Sequence, residues 1–368
     1  MRILLVTTWY PSQAAPSSGA FVAKDAHALA EDHDVHVVHL ASPALLSPAD
    51  AAADAGSPVR VTRIPMRTSA PFHWLQARRA LEAHLRKADV LHTQAFSALL
   101  PFAARGPRLP WVHTEHWSGI SRPESVSPVW QVIGRVLRPL LRRPDVVTAV
   151  CEFLAAPIRR SRPGEVRVVP CIVEPAGRLA SWPSEADGLR LTATGGLVDG
   201  KDPLLAVDVV RELVDRGHDA ALSWQGDGPL REAVVQHARD AGVLERLTLP
   251  GAVSPESVAA AIDAARVFLL PTRGENFCVS AAEAIVRGRP AVIGAVGGQR
   301  EYVTPANGRL VAERAAGAYA DAIEEVLAAA SDPELVASTI GDAFSRARVR
   351  AAYEDAYATA GAARGAGR

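Results

Sequence analysis

Almost from its first residue, the chain alternates between short β-branched runs and amphipathic segments of helical length, and it does so in two separate series. The first series reads "RILLVT", a helical stretch over 19–31, "DVHVVHL", "VRVTRI", 74–87, "DVLHT", 96–105, "PWVHT", 128–142, "DVVTAV", 151–160 and "VRVVP". Strands spaced by helix-length segments imply right-handed crossovers and a parallel sheet. Residues 173–188, "VEPAGRLASWPSEADG", break both periodicities with Pro, Gly and acidic residues and read as a linker. The second series reads "RLTATGG", 203–216, "DAALSWQG", 229–241, "RLTLPG", 254–264, "ARVFLLPT", 278–287, "PAVIG" and helices from 315 onward. The pattern predicts an α/β fold of two doubly wound domains, 1–172 and 189–345. A C-terminal helix follows over 346–368, its return to the N-terminal domain left open. Ligands of such sheets bind beyond the carboxyl ends of the strands, so two such domains facing each other would define a cleft.

Composition narrows the function. At 368 residues, 48% hydrophobic and 22% charged, the chain has the profile of a soluble protein with two cores. No apolar run reaches membrane-spanning length, and the N-terminal "MRILLVTTWYPS" lacks the form of a signal peptide. Cys151, Cys171 and Cys278 are too few and too dispersed for a disulfide scaffold or a zinc site, which fits a reducing cytoplasm. The net charge of zero conceals an imbalance, since residues 1–165 carry 19 basic and 13 acidic side chains and the remainder 21 and 27. Two basic amphipathic stretches, 74–87 and 130–143, admit docking on anionic lipid at the inner membrane face. The plainer reading is a solvated face over a core stripe, favoured because Pro139 interrupts the second stretch. No nucleic-acid partner is expected. Only three lysines stand beside 37 arginines, an Arg-preferring background that suggests a bacterial source and singles out Lys201.

The segment 271–292, "PTRGENFCVSAAEAIVRGRPAV", places Glu275 and Glu283 eight residues apart across a strand-to-helix turn. A turn at Gly274 leads into a helix of small residues with Gly288 as its C-terminal cap. Backbone N–H groups of Phe277, Cys278 and Val279, backed by the helix dipole, suit an anion. Glu275 would stand at the mouth, and Glu283 would reach a more distant part of the same ligand. Such a pair fits an extended ligand with a central anion and hydroxyls at both ends. For an arbitrary pair, a salt-bridged helix residue and a first-turn acid are the plainer explanation.

The surrounding motifs change that balance. Glu275, seven intervening residues and Glu283, then "RGRPAV", "VGGQREYV" and "NGRLV", resemble the signature of the retaining glycosyltransferases of family 4, whose GT-B fold has two Rossmann-like domains. "VTTWYPSQAAPSSGAFV", "PWVHTEHWSG", "VTAVCEFL", "VVPCIVEP", "QGDGPLREAV" and "LTLPGAVSPESV" extend the resemblance over nearly the whole chain. It implies transfer of a sugar, with retained anomeric configuration, from a nucleotide-diphosphate-sugar donor to an acceptor hydroxyl. By position, Glu283 would bind ribose hydroxyls, Glu275 hydroxyls of the donor sugar, and the N–H groups at Asn276, Phe277, Cys278 and Val279 the diphosphate and sugar. His116 would lie near the transferred sugar, and Gly19 would permit close backbone approach to donor or acceptor. Without the motif, His116 reads as a histidine of an aromatic patch with Trp111 and Trp117.

"GGLVDGKD", 195–202, nearly spells a phosphate-binding P-loop, but Asp202 occupies the position that should supply a hydroxyl to Mg²⁺, and its carboxylate would repel phosphate. In the family pattern an arginine and a lysine five residues later both serve the diphosphate. Lys201 matches, whereas Gly196 stands at the arginine, leaving Arg273 or Arg300 to compensate or the donor to bind weakly. Cys171 and Glu174 also depart from the pattern. No metal or other cofactor is expected, and "DHD" at 32–34 reads as a solvated turn remote from the strand ends. Leaving-group charge then falls to Lys201 and the helix N-terminus. Two alternatives remain at this stage, a nucleotide-sugar epimerase on the same scaffold and a non-catalytic nucleotide-binding partner subunit.

Overall fold

A computed structural model describes residues 1–329 and 332–365. The chain forms two compact units, one comprising Met1–Ile172 with the C-terminal segment from Arg346, the other Val173–Ser345.

The first unit begins with β1 (Arg2–Thr7), α1 (Ala20–Ala30), β2 (Asp34–Ala41), α2 (Pro48–Ala55), β3 (Arg60–Pro65), α3 (Pro71–Leu85) and β4 (Val90–Gln94). It continues through β5 (Trp111–Glu115), α4 (Ser118–Ser121), α5 (Pro128–Leu137), β6 (Val146–Ala149), α6 (Glu152–Arg159) and β7 (Val166–Val168). The seven strands pair in the order β3-β2-β1-β4-β5-β6-β7, all parallel. Buried β-branched and aliphatic residues on both faces, Ile3, Leu5, Val35 and Val37 on one and Leu4, Val6, Val38 and Leu40 on the other, explain the near-continuous apolar runs in the sequence.

Three sequence expectations change here. The segment 96–105 is a 3₁₀ turn over Phe96–Phe102, because Pro101 supplies no N–H for an α-helical bond. The stretch 128–142 divides into α5 and a 3₁₀ turn at Arg138–Arg142, where Pro139 falls. The pattern also missed α2, a short alanine-rich helix.

The second unit contains β8 (Leu189–Thr194), α7 (Pro203–Asp215), β9 (Ala220–Gln225), α8 (Arg231–Asp240), β10 (Leu247–Gly251), α9 (Pro255–Asp263) and β11 (Val267–Leu270). There follow α10 (Val279–Ile285), β12 (Ala291–Gly294), β13 (Gly308–Val311), α11 (Ala316–Ala329) and α12 (Pro333–Ser338). Its six parallel strands pair in the order β10-β9-β8-β11-β12-β13. The short β13 was not foreseen as a strand. Residues 173–188 pack against this unit: the buried Arg289 donates to the carbonyls of Ala180 and Ser181, at 3.1 Å each, and Trp182 Nε1 donates to Gly288 O at 2.8 Å. The Arg266 guanidinium lies 3.4 Å from the Trp182 ring centroid, a cation–π contact on the same segment.

Helix α13 (Arg346–Gly365) belongs to the first unit, and its buried face of Val349, Tyr353, Ala356, Tyr357 and Ala360 enters that unit's core at helical spacing. The last three positions of the expected 346–368 helix, and residues 330–331 of the expected second domain, lie outside the described residues.

Candidate active site

In the second unit, strand order reverses between β8 and β11, which marks the point where open α/β sheets bind ligands. The chain leaving β8 forms the loop 195–202, and the chain leaving β11 forms 271–278. Backbone and side chain join them: Arg273 N–H donates to Gly200 O at 2.9 Å, and the Thr272 hydroxyl lies at the same distance from that carbonyl. This splice brings Lys201 Nζ onto Glu275 Oε1 as an ion pair, with Thr272 Oγ1 3.2 Å from the same carboxylate oxygen. Both charged side chains are largely shielded, 24% and 13% exposed. Burial works against the Lys201 charge, but the carboxylate of Glu275 outweighs it and holds the ammonium above its ordinary pKa.

Asp202 has a different setting from the one expected. It begins α7 in a left-handed conformation, φ 53°, and its buried carboxylate accepts from Arg273, at 3.1 and 3.2 Å, and from Arg314. The repulsion anticipated from this carboxylate is therefore offset by two guanidinium groups within the fold. Arg273 is committed to that cluster, and Arg300 Nε donates to Ala295 O at 3.1 Å.

Helix α10 is shorter than the expected 278–287. It has seven residues, and the residue at its entrance, Cys278, is left-handed, φ 61°. Tyr302 braces this entrance, its hydroxyl 2.8 Å from Phe277 O and 2.7 Å from Cys278 O, while its ring packs with Phe277 and Phe344. Asn276 O accepts from Gly298 N at 2.7 Å. A Cβ on the adjoining Gly297, φ 79°, would lie 2.0 Å from Glu275 O, so a glycine at this position is what lets the two loops close. Burial and Glu275 push the Cys278 thiol up to about 12, which keeps it protonated. Val279, Ser280 and Glu283 are the partly exposed residues of α10, and their spacing places Glu283 on one face with the first turn.

In the first unit the order reverses between β1 and β4. Gly19, φ 66°, precedes α1, and a Cβ there would strike Trp9 C and O at 2.3 Å. The close approach that requires glycine is thus the chain's own Trp9–Tyr10 backbone. His116 follows β5. Its ring packs on Phe21 of α1 with centroids 4.3 Å apart, and its Nε2 lies 3.3 Å from Gln94 Oε1 at the end of β4. Beneath it, the buried Glu115 accepts from the backbone N–H groups of His116 and Trp117, each at 2.8 Å. Burial, helped by His113, pushes His116 down to about 3, so the ring is neutral at physiological pH.

The sequence reading missed Thr272, Arg314, Gln94 and Asp25. Asp25 alone had a legible signal, a carboxylate on the face of α1 shared with Val22, Ala26 and Leu29. The "DHD" turn lies at the amino end of β2, where His33 Nε2 meets Glu354 at 2.9 Å and Asp32 meets Arg350 at 3.0 Å. Among the described residues, no group of three His, Cys, Asp or Glu side chains could hold a metal ion, and no helix is long and apolar enough to cross a membrane.

Two parallel doubly wound units, each with its candidate residues at the strand-order reversal, define the α/β architecture of the GT-B fold. Family models agree: residues 20–176 match Glycosyltransferase Family 4 and residues 188–329 match Glycosyl transferases group 1, and the chain belongs to the family-4 glycosyltransferases. A 2-deoxystreptamine glucosyltransferase of Streptomyces kanamyceticus is 30% identical over 252 residues, which span 63% of this chain and 64% of that enzyme. Among solved structures, the lipopolysaccharide outer core galactosyltransferase WaaB superposes with TM-score 0.76 at 14% identity, covering 97% of this chain and 99% of that one. HepE of Anabaena in complex with UDP-glucose gives 0.74 at 17% identity, covering 98% and 100%.

Proposed function

We propose that the protein transfers a sugar, with retention of anomeric configuration, from a nucleotide-diphosphate-sugar to an acceptor hydroxyl. The observation that carries this reading is the meeting of Lys201 and Glu275 at the strand-order reversal of the second unit. A shielded ammonium suits the charge that develops on a departing diphosphate, and a carboxylate beside it suits the hydroxyls of the sugar being transferred. Donor binding exchanges their mutual pairing for these two contacts. The bond from the anomeric carbon to the diphosphate breaks, a bond to the acceptor oxygen forms on the same face, and the acceptor proton leaves with the diphosphate. Glu283 is assigned to the ribose, the backbone of Asn276, Phe277, Cys278 and Val279 to the diphosphate and sugar, and Gly196 to the nucleotide side of the site. His116, which follows β5 and packs beside Gln94 at the end of β4 and Phe21 of α1, is assigned to sugar recognition, with Gly19 shaping the loop after β1.

The donor is a UDP-hexose on the strength of the UDP-glucose complex of HepE, and the glucosyltransferase of Streptomyces kanamyceticus directs the acceptor search to 2-deoxystreptamine and other polyhydroxylated rings. With Lys201 serving the leaving group, the reaction needs no metal. Val132 and Val136 of α5, 59% and 70% exposed, and Phe72 and Leu75 of α3, 64% and 52% exposed, are apolar groups that suit a peripheral membrane contact of this protein in the cytoplasm.

A thermal-shift and calorimetric screen of UDP, GDP, ADP and dTDP sugars, followed by transfer assays on those acceptors with and without EDTA, tests the proposal. Donor-dependent, EDTA-insensitive formation of an α-linked product from an α-linked donor is expected. Inverted product or absence of any nucleotide-sugar binding overturns the proposal, and activity abolished by EDTA and restored by Mg²⁺ or Mn²⁺ overturns its metal independence.

A further inference from the structure

Beneath His116 lies a buried relay that the catalytic reading does not use. Gln94 Oε1 is 3.3 Å from His116 Nε2, and Gln94 Nε2 donates to Asp25 Oδ2 at 3.1 Å. The Tyr353 hydroxyl of α13 donates to the same Oδ2 at 2.9 Å. Asp25, Gln94 and Tyr353 are each at most 2% exposed. Burial raises the Asp25 carboxyl to about 7, while its bonds from Tyr353 and Gln94 and the nearby Lys24 pull the other way.

The chemistry of the amide decides the direction of the chain of bonds. Above pH 7, where the Asp25 carboxyl is ionised, Oδ2 only accepts, so both groups that meet it are donors and the one from Gln94 must be its amide nitrogen. Its carbonyl oxygen is then turned to His116, and a carbonyl oxygen accepts only. The facing nitrogen of the imidazole must carry the hydrogen. We propose that Asp25, acting through Gln94 and held by Tyr353, is a positioning residue that locks His116 as the Nε2–H tautomer, with its acceptor lone pair on Nδ1. Helix α1 holds the ring twice, since Phe21 packs against it at a tilt and Asp25, one turn further along, orients its edge through Gln94. A neutral imidazole of one tautomer presents a defined acceptor to a ligand hydroxyl, whereas a mixed population would present a donor part of the time. The C-terminal helix acquires a function by this route, because Tyr353 reaches Asp25 across 328 positions of chain.

The tautomer itself stands independently of the proposed activity; only its catalytic consequence rests on the assignment of His116 to sugar recognition. Full-length protein with ring-¹⁵N histidine at pH 8 reports which nitrogen of His116 is protonated, with His116→Gln identifying the signals. The expected spectrum has Nε2 protonated and Nδ1 bare, changing to a mixture in Gln94→Leu and in Asp25→Leu. Tyr353→Phe, which removes one hydroxyl from the network, shifts the signals in the same direction and serves if the other variants fold poorly. A bare Nε2 in the native protein, or an unchanged spectrum in the folded variants, overturns the proposal. With the donor and acceptor found by the screen above, Gln94→Leu is expected to lower kcat roughly ten- to a hundredfold, the scale on which misplacing a catalytic partner acts, while donor KM stays within about twofold. The same change introduced into His116→Ala should cost nothing more, and an additional loss in that background would refute action through His116.

Discussion

Lys201 and Glu275 are 74 positions apart in the chain, yet they form an ion pair at the point where the strand order of the second unit reverses. The pair is shielded by the Thr272 hydroxyl and by the closure of the Gly297 loop over Glu275 O. Truncating either partner leaves the other partly buried without its counter-charge, so each substitution carries a stability cost besides its effect on chemistry.

Lys201→Ala is expected to lower turnover about 10²- to 10³-fold, the usual consequence of losing a preorganised donor for developing negative charge. Lys201→Arg should recover only part of the loss, because the Lys201 stem runs along Gly195 and its compact ammonium pairs with Glu275, a point charge that a planar guanidinium does not reproduce. Steady-state kinetics of the three proteins decide it. Near-native turnover in Lys201→Ala would move the phosphate site elsewhere.

Glu283 and Glu275 should separate by ligand. Glu283→Ala is expected to weaken binding of free UDP by about tenfold, whereas Glu275→Ala leaves UDP affinity within a few-fold of native and lowers turnover instead. Isothermal calorimetry with UDP distinguishes them, since equal losses in both variants contradict the assignment of one to the ribose and the other to the sugar.

Gly196 can accept a side chain. It is not among the glycines with positive φ, and a Cβ there would have Asp227 O at 3.6 Å as its nearest neighbour. Gly196→Arg therefore introduces a cation without backbone strain. An added charge-assisted hydrogen bond to a diphosphate, worth about 1.5 to 3 kcal/mol, would tighten UDP binding by roughly ten- to a hundredfold. Calorimetry again gives the answer, and unchanged affinity would place the diphosphate out of reach of this loop.

Stability should fall in acid through the buried histidines. His92, bonded to the Tyr357 hydroxyl at 2.8 Å and to Thr114 at 2.6 Å, is pushed down to about 3 by burial, then by His113 and His116. Its folded pKa lies below the unfolded value near 6.5, so as pH drops below 6.5 the unfolded chain takes up the proton first. Between pH 6.5 and about 3 this contributes a loss of up to ~1.4 kcal/mol per pH unit. His36, His39 and His116 act in the same direction. Asp25, raised to about 7, opposes them by favouring the folded state as pH falls from 7 towards 4. Urea unfolding at intervals from pH 7 to pH 4 should show a shallower decline for His92→Gln than for the native chain. Identical slopes would mean that His92 is not held neutral.

The periodicity of the sequence determined the two parallel α/β units and most strand positions, because strands buried on both faces must be written as apolar runs between amphipathic helices. It also determined the short list of candidate residues, since a lysine in an arginine-rich chain and two glutamates around a strand-to-helix turn are visible without coordinates. Local pattern did not decide which of these meet. Asp202 shows the difference: in sequence it was an acid that spoils a phosphate loop, and in the fold it is a buried anion held between Arg273 and Arg314. Asp25 shows it again, for its partners are Gln94 and Tyr353, contributed by a strand 69 positions away and a helix 328 positions away. Only tertiary structure settles such pairings, because the protein determines the state of a charge or an imidazole through neighbours that converge in space, and linear spacing carries no information about them.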